Sequence, residues 1–457
     1  MRPFRTARAV AALRRTLTNP FLRRQLSTSS GNAALCFTST HAGRLSPAPL
    51  APSALCRTLT IPFLHLQLSA FSVKAASTNT KSSNDDDNED GDPVAAAKSA
   101  IRSESDPDRL VSLFESSAHH PSFYSDRQIY KISVHKLVRY GRPDLVERIL
   151  EGAKSDANIK KSEGFLIRLI SLYSDAGMID HSVRIFEAIP SLGCQRSERS
   201  LCALLLAFLE NKKFDRIQEA IDRYAKEYSI VPGIASYNVL LKALCSSYKV
   251  DEAFALLDEM PAKGVEPDIV CYNTVLDGYF KMRDDSGFEK VLKEIGKKKL
   301  RQTMNTYNCR IAALCAKGKS SQAEGLLAVM QSDGVYPNTV CFNTLIGGFC
   351  KEGNVDSAMK VYESMKRTGV SPDFSTYVAL LNGFVKKGEF QKALGICKQC
   401  LDSKWAPPFA MVKDLVDGLM KSSQLDEAKD IIARMRGRIT KGDSKDAWRK
   451  IEKGFAL

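Results

Sequence analysis

From about residue 93 onward, apolar residues recur at the spacing of one helix face, in pairs of short segments. Tyr237, Leu240, Leu241 and Leu244 fall at i, i+3, i+4 and i+7, which predicts an amphipathic helix. After a polar break, Ala253, Leu256, Leu257 and Met260 predict a second one. The pair then returns at a fixed distance. Tyr237-Asn238, Tyr272-Asn273, Tyr307-Asn308 and Phe342-Asn343 lie 35 residues apart, and Tyr377 continues the series with Val378 in place of the asparagine. Other columns keep that register: Pro267, Pro337, Pro372 and Pro407; Gly264, Gly334 and Gly369; Met260, Met330, Met365 and Met435, shared with Ile295 and Cys400; and Ala253, Ala323, Ala358, Ala393 and Ala428.

Each column has a physical role. Gly318, Gly353 and Gly388 turn the chain between the two helices. The alanine sits where two helix backbones approach. The later glycine suits a left-handed helix end, and the proline prevents continuation. One such hairpin cannot cover its own apolar face, but stacked neighbours can. The pattern therefore predicts an all-α fold, an α-solenoid of about nine to ten stacked helix-turn-helix units of 35 residues. Strong units are 234–268, 269–303, 304–338, 339–373 and 374–408. Weaker ones, 163–197 and 409–443, keep the register, while 127–162 and 198–233 each carry one extra residue. A degenerate unit covers about 91–126.

Charge separates the ends from the middle. The chain has 457 residues and a net charge of +14. Residues 1–84 hold nine Arg, two Lys and no acidic residue, so +11 of that total lies there and only +3 in the remainder. The body is therefore not a strongly basic clamp, and its non-specific attraction for phosphate is modest. Residues 1–84 are also rich in Ser, Thr and Leu, the composition of an organelle transit peptide. Arg5, Arg8, Arg14 and Arg15 among Phe4, Val10, Leu13 and Leu17 predict a cationic amphipathic helix suited to a negative membrane surface. Arg24-Gln25-Leu26-Ser27 resembles a mitochondrial processing signal. The target is the mitochondrial matrix, with the chloroplast as the alternative. Residues 85–92 read as an acidic linker and 93–443 as the repeat array. Residues 444–457 read as a basic capping segment with Trp448. No apolar run of the body is long enough for a membrane span.

The 35-residue unit closely resembles the pentatricopeptide repeat. The segments that carry the likeness are Ile269-Val-Cys-Tyr-Asn-Thr-Val-Leu-Asp-Gly, Thr339-Val-Cys-Phe-Asn-Thr-Leu-Ile-Gly-Gly-Phe-Cys-Lys-Glu-Gly and Met365-Lys-Arg-Thr-Gly-Val-Ser-Pro-Asp. Uniform 35-residue units resemble the P subclass. The resemblance implies that each unit contacts about one base of single-stranded RNA. The fifth residue of the first helix and the last residue of the unit would read the base edge. Carried over, the base-reading pairs are Asn238 with Asp268, Asn273 with Thr303, Asn308 with Asn338, and Asn343 with Asp373. The second residue of each unit would sandwich the base: Ala235, Val270, Asn305, Val340 and Ser375. The family pattern associates Asn–Asp with uracil, and Asn–Asn and Asn–Thr with pyrimidines, which implies a tract U-Y-Y-U running 5′ to 3′ from the N-terminal side. A plain structural reading stands beside it, in which the asparagines bridge helices and Pro-Asp makes a turn.

The pattern departs from the family elsewhere. Val378 with Pro408 has no polar pair, and Lys131, Ile167 and Cys202 hold the reading position in the N-terminal units, with Ser162, Ser197 and Gly233 as partners. Arg310 stands where the family carries an aliphatic residue. Lys161-Ser-Glu-Gly-Phe, Tyr307-Asn-Cys-Arg-Ile, Trp405-Ala-Pro-Pro-Phe and Val416-Asp-Gly-Leu resemble the ribosome-associated branch in land plants. This implies mitochondrial ribosomal proteins, ribosomal RNA or messenger RNA as partners. An autonomous transcript-binding factor and a protein-only scaffold are the alternatives.

No enzyme is expected. A zinc deaminase needs His-x-Glu and a later Cys-x-x-Cys, yet the last histidine is His181. Cys397-Lys-Gln-Cys400 is the sole Cys-x-x-Cys and falls on apolar helix positions, where thiols pack rather than bind metal. No P-loop, cofactor, metal or small-molecule site is expected. Lys297, Lys298, Lys299 and Arg301 could contact phosphates or simply face solvent at a helix end.

Overall fold

A computed structural model describes residues 93–118, 123, 126–156, 161–403 and 405–436. The expected leader, linker and capping segment with Trp448 lie outside the described residues.

Twenty α-helices are present among these residues, and no strand. They form consecutive pairs: α1 Pro93–Ser103 with α2 Pro107–Ser117, α3 Arg127–Arg139 with α4 Pro143–Ser155, α5 Glu163–Asp175 with α6 Ile179–Ala188, and α7 Glu198–Glu210 with α8 Asp215–Tyr228. The central pairs are α9 Ile234–Ser246 with α10 Val250–Glu259, α11 Ile269–Met282 with α12 Asp285–Lys297, α13 Met304–Ala316 with α14 Ser320–Ser332, and α15 Thr339–Lys351 with α16 Val355–Arg367. Last come α17 Phe374–Lys387 with α18 Phe390–Asp402, and α19 Phe409–Lys421 with α20 Leu425–Arg436. Substantial helix packing joins only helices of one pair or of adjacent pairs, as expected of a solenoid. The first helices of successive pairs pack extensively on one another, and the second helices do so far less.

The turns repeat as the chain does. At the bend between the helices of a pair the backbone goes left-handed, at Gly318 (φ 68°), Gly353 (φ 73°) and Gly388 (φ 77°), where glycine takes this geometry without a Cβ penalty. Tyr248 and Arg283 hold the same position at φ 64° and 58°. Gly264, Gly334 and Gly369 adopt it again at the end of each unit.

The repeated columns are the core. Ala253, Ala323, Ala358, Ala393 and Ala428 are fully buried, as are Met260, Met330 and Met365, and Tyr272, Tyr307 and Phe342 are at most 1% exposed. Burying each large apolar side chain contributes roughly 1.5–3 kcal/mol. A further repeated contact appears between first helices. A Cβ on Gly278, Gly348 or Gly383 would lie 2.8, 2.7 or 2.5 Å from the sulfur of Cys245, Cys315 or Cys350, the cysteine one unit earlier. Glycine lets these helix backbones close up.

The apolar core is divided at α13. Ala313 completes the cluster that begins at Ile101, whereas Tyr307, Ile311 and Cys315 open the one that runs to Met435. On this helix Arg310 donates to Gln302 Oε1 at 2.8 Å and lies over the Tyr307 ring, 5.4 Å from its centroid. A cation thus covers the aromatic edge where an aliphatic residue would have packed.

Candidate RNA interface

The last residue of each unit is also the N-cap of the next first helix, so the two candidate roles meet in one side chain. Asp268 Oδ1 accepts from the backbone N–H of Val270 and of Cys271, both at 3.0 Å. Asn338 Oδ1 accepts from Cys341 N at 3.1 Å, and Asp373 Oδ1 from Thr376 N at 2.9 Å. Thr303 forms a capping box with Thr306. Each cap satisfies helix-end donors, an effect of about 1 kcal/mol.

The fifth residues lie beside these caps, one helix back. Asn273 Nδ2 donates to Thr303 Oγ1 at 3.1 Å, and Asn343 Nδ2 donates to Asp373 Oδ1 at 2.9 Å. Two of the four expected pairs are thus joined directly. Asn308 makes no bond to Asn338 among the described residues; its Oδ1 accepts from Cys341 Sγ at 2.9 Å. Asn238 is not bonded to Asp268, and its Oδ1 is buried without a partner. Asn273, Asn308 and Asn343 do bridge helices, so for these three the plain structural role exists alongside any contact with a ligand. Of the expected sandwiching residues, Val270, Asn305 and Ser375 are exposed, and Ala235 and Val340 are half-buried. An apolar Val270 left 51% open at this place suits a flat, weakly polar ligand face.

The N-terminal units arrange the same slot differently. Glu163 Oε1 accepts from Ser197 N at 3.0 Å and from Ser197 Oγ at 2.5 Å. One unit on, Glu198 Oε1 accepts from Gly233 N at 2.8 Å and from Ser236 Oγ at 3.4 Å. A carboxylate from the chain itself thus fills the space between these first helices. In the reading position, Lys131 lies 3.9 Å from Asp175, Ile167 packs on the core, and burial pushes the Cys202 thiol up to about 11. In the last strong unit, 374–408, Val378 is half-buried and Pro408 caps α19 without a side-chain bond.

Charges at the ends of the first helices change along the array. Asp175 and Glu210 hold the thirteenth position in units 163–197 and 198–233, where unit 127–162 has Arg139; later it is held by Lys281, Lys351, Lys386 and Lys421, with Ser246 and Ala316 in the two remaining central units. The Lys131–Asp175 and His135–Asp175 contacts, the latter 3.4 Å, place this column on the same face as the reading position. Burial raises the pKa of Glu210 and lowers that of Lys242, which lies near Glu210, Asp277 and Lys281. Lys281 is held by Asp277, whereas Lys351, Lys386 and Lys421 make no ion pair among the described residues. The column is carried by the 35-residue period and not by any basic run. In the run 297–301, Lys297 is paired with Glu294 at 2.5 Å, and Arg301 reaches only Asp333 O at 3.5 Å.

Cys397 and Cys400 are buried, and burial pushes their thiols up to about 12 and about 11. They remain protonated near neutral pH and pack as small apolar groups. No group of three or more His, Cys, Asp or Glu suited to a metal exists among the described residues. No helix there is long and apolar enough to cross a membrane.

Comparison with known proteins agrees with this register. The model of the PPR repeat family matches residues 232–281 and 337–386, and that of the PPR repeat matches 270–300, 305–335, 375–404 and 413–438. The Arabidopsis thaliana small ribosomal subunit protein mL103 is 31% identical over 251 residues, covering 54% of this chain and 60% of the relative. Small ribosomal subunit protein mS78 of the same plant is 39% identical over 173 residues, covering 38% and 43%. The chain therefore spans about 60% or less of the length of these relatives. The solved structure of PPR10 in complex with an 18-nucleotide psaJ RNA element superposes with a TM-score of 0.50 at 19% identity, over 76% of this chain and 51% of that one, a likeness of fold. In repeat length, register and helix pairing alike, the matched segments between residues 232 and 438 are pentatricopeptide repeats.

Proposed function

We propose that this chain is a non-catalytic RNA-binding protein of mitochondria, associated with the small subunit of the mitochondrial ribosome or its messenger RNA, and that it supports translation there. The observation that carries the RNA reading is the row of Asn238, Asn273, Asn308 and Asn343 on four consecutive first helices, each beside the polar N-cap of the next helix. Spaced amide groups along one face suit the edges of successive unstacked bases. The relatives named as small ribosomal subunit proteins support the assembly, and others named as mitochondrial support the location. The uniform 35-residue unit fits the P subclass. Residues 1–84 act as the mitochondrial leader in this reading.

The ribosomal reading is favoured over an autonomous transcript factor because four pyrimidine-preferring units would match a long transcript many times. Sedimentation of a gentle mitochondrial lysate tests it. Co-migration with the small ribosomal subunit through high salt is expected. Light fractions that shift after ribonuclease treatment would instead mark a free transcript binder. A fluorescent fusion of residues 1–84 should enter mitochondria, and plastid or cytosolic signal would reject the leader assignment.

A further inference from the structure

The reading asparagines rest on a second layer of side chains that neither the repeat likeness nor the expected pairs include. The third residue of the following unit bonds the asparagine of the unit before at Thr306, Cys341 and Thr376, and Cys271 holds the same place in sequence after Asn238. Thr306 and Thr376 are fully buried. Thr306 Oγ1 accepts from Thr303 N at 3.1 Å and donates to Asn273 Oδ1 at 2.8 Å. Thr376 Oγ1 accepts from Asp373 N at 3.0 Å and donates to Asn343 Oδ1 at 2.7 Å. The backbone N–H occupies one accepting site of each hydroxyl, and the hydroxyl proton faces the asparagine carbonyl; at Thr376 the Asp373 carboxylate, 3.0 Å away, is a second acceptor for it. The amide group then has one orientation. Oδ1 points inward to the hydroxyl, and Nδ2 reaches the last residue of the unit with a second N–H to spare. A flipped amide would give up the hydroxyl-to-carbonyl bond and, at Asn343, would set the amide oxygen against the accept-only Asp373 carboxylate.

We infer that Thr306 and Thr376 are positioning residues for base selection, fixing Asn273 and Asn343 as hydrogen-bond donors toward the base. This inference rests on the proposal that these asparagines face RNA. A donor-only reader takes a base with an acceptor at the contacted edge. The 4-position of uracil is a carbonyl and that of cytosine is an amine, so a fixed donor prefers uracil. The asparagines followed by cysteines at this place differ. A thiol is a weak donor: Cys341 reaches Asn308 Oδ1, and Asn238 Oδ1, with Cys271 at that place in sequence, has no partner. The four readers are therefore two orientation-locked sites, at Asn273 and Asn343, alternating with two loose ones.

The test uses the full chain and single-stranded RNA oligonucleotides in which a U4 tract flanked by adenines carries one cytosine at the fourth place, opposite Asn343. The wild type should favour uracil there. Thr376→Val should reduce that preference by about fivefold, the range expected for one hydrogen bond, with a smaller loss in affinity for the cytosine oligonucleotide. Thr376→Ser should restore it, which a loss of apolar packing alone would not allow. Cys341→Thr provides the reverse variant and decides the matter if Thr376→Val fails to fold: discrimination at the third place, opposite Asn308, should rise. A wild type that prefers uracil, with Thr376→Val keeping that preference or Cys341→Thr adding none, overturns the positioning role alone. A wild type without affinity for the tract overturns the RNA reading and this inference with it.

Discussion

Residues 163–233 and residues 234–373 share one backbone plan and use the slot between successive first helices in opposite ways. In the first stretch Glu163 and Glu198 reach forward and occupy the N-cap of the next unit, and acidic Asp175 and Glu210 stand at the helix ends. In the second, neutral asparagines line the slot, and the helix ends carry Lys281 and Lys351. The central slots hold carboxylates too, Asp268 and Asp373, so the difference lies in the donors: in the first stretch the glutamates bond the N-cap groups of the next unit. A slot lined by an amide with a spare N–H is free to pair. A solenoid separates the two tasks easily, because each unit touches only its neighbours. In this account the N-terminal units are structural, and the central ones bind.

The largest effect should come from removing the difference altogether. Changing Asn238, Asn273, Asn308 and Asn343 together to Ala loses up to four base contacts, about 1 kcal/mol each, so binding to a pyrimidine tract should fall about a thousandfold in a filter assay. Unchanged affinity would end the base-reading account. The converse experiment opens a closed slot. Glu198→Ala with Cys202→Asn and Gly233→Asp rebuilds the central pattern one unit earlier. Glu198 must go as well, because a Cβ on Gly233 would lie 2.6 Å from its Oε1. The triple variant should bind a five-uracil tract about fivefold more tightly than a four-uracil one, whereas the wild type should not.

Smaller effects sharpen the electrostatic half of the comparison. Replacing Lys351, Lys386 and Lys421 with Gln should lower the slope of log affinity against log salt by about 0.7 per lysine, measured in a salt titration. Glu210 tests the N-terminal side. Its raised pKa, due mainly to burial and then to Asp175, means that the folded chain holds this proton more tightly than the unfolded one. Ionisation at neutral pH therefore opposes folding, and the opposition fades as the pH falls below the ordinary value of 4.5. Glu210→Gln should raise the melting temperature at pH 7 by about one degree and leave it unchanged at pH 4. The gain is small because the side chain's end meets solvent.

The fold was legible because the signals that set it are local and repeat. Tyr272, Ala323, Gly353 and Met365 each report a helix face or a turn, and periodicity multiplies each signal. The row of asparagines proposed as readers follows from the same periodicity. The groups that control them were hidden for a physical reason. Thr306 and Thr376 read as ordinary third-position capping residues, and Glu163 and Glu198 as acids favoured in a first helical turn. What each does depends on a partner 33 to 35 residues away across a packed interface. The hydrophobic pattern sets that interface, but no local motif announces it. The lysine column shares the same period, but its members stand 35 or 70 residues apart and form no local basic run.

The central claim is that four consecutive units, and none before them, read bases. A substitution scan measures this directly: the full chain is titrated with an A4-U4-A4 RNA, then with variants bearing one guanine at each place in turn. The account predicts loss of affinity at the four uracil places only, with the second and fourth the more discriminating. Equal sensitivity along the whole oligonucleotide, or none anywhere, would contradict it.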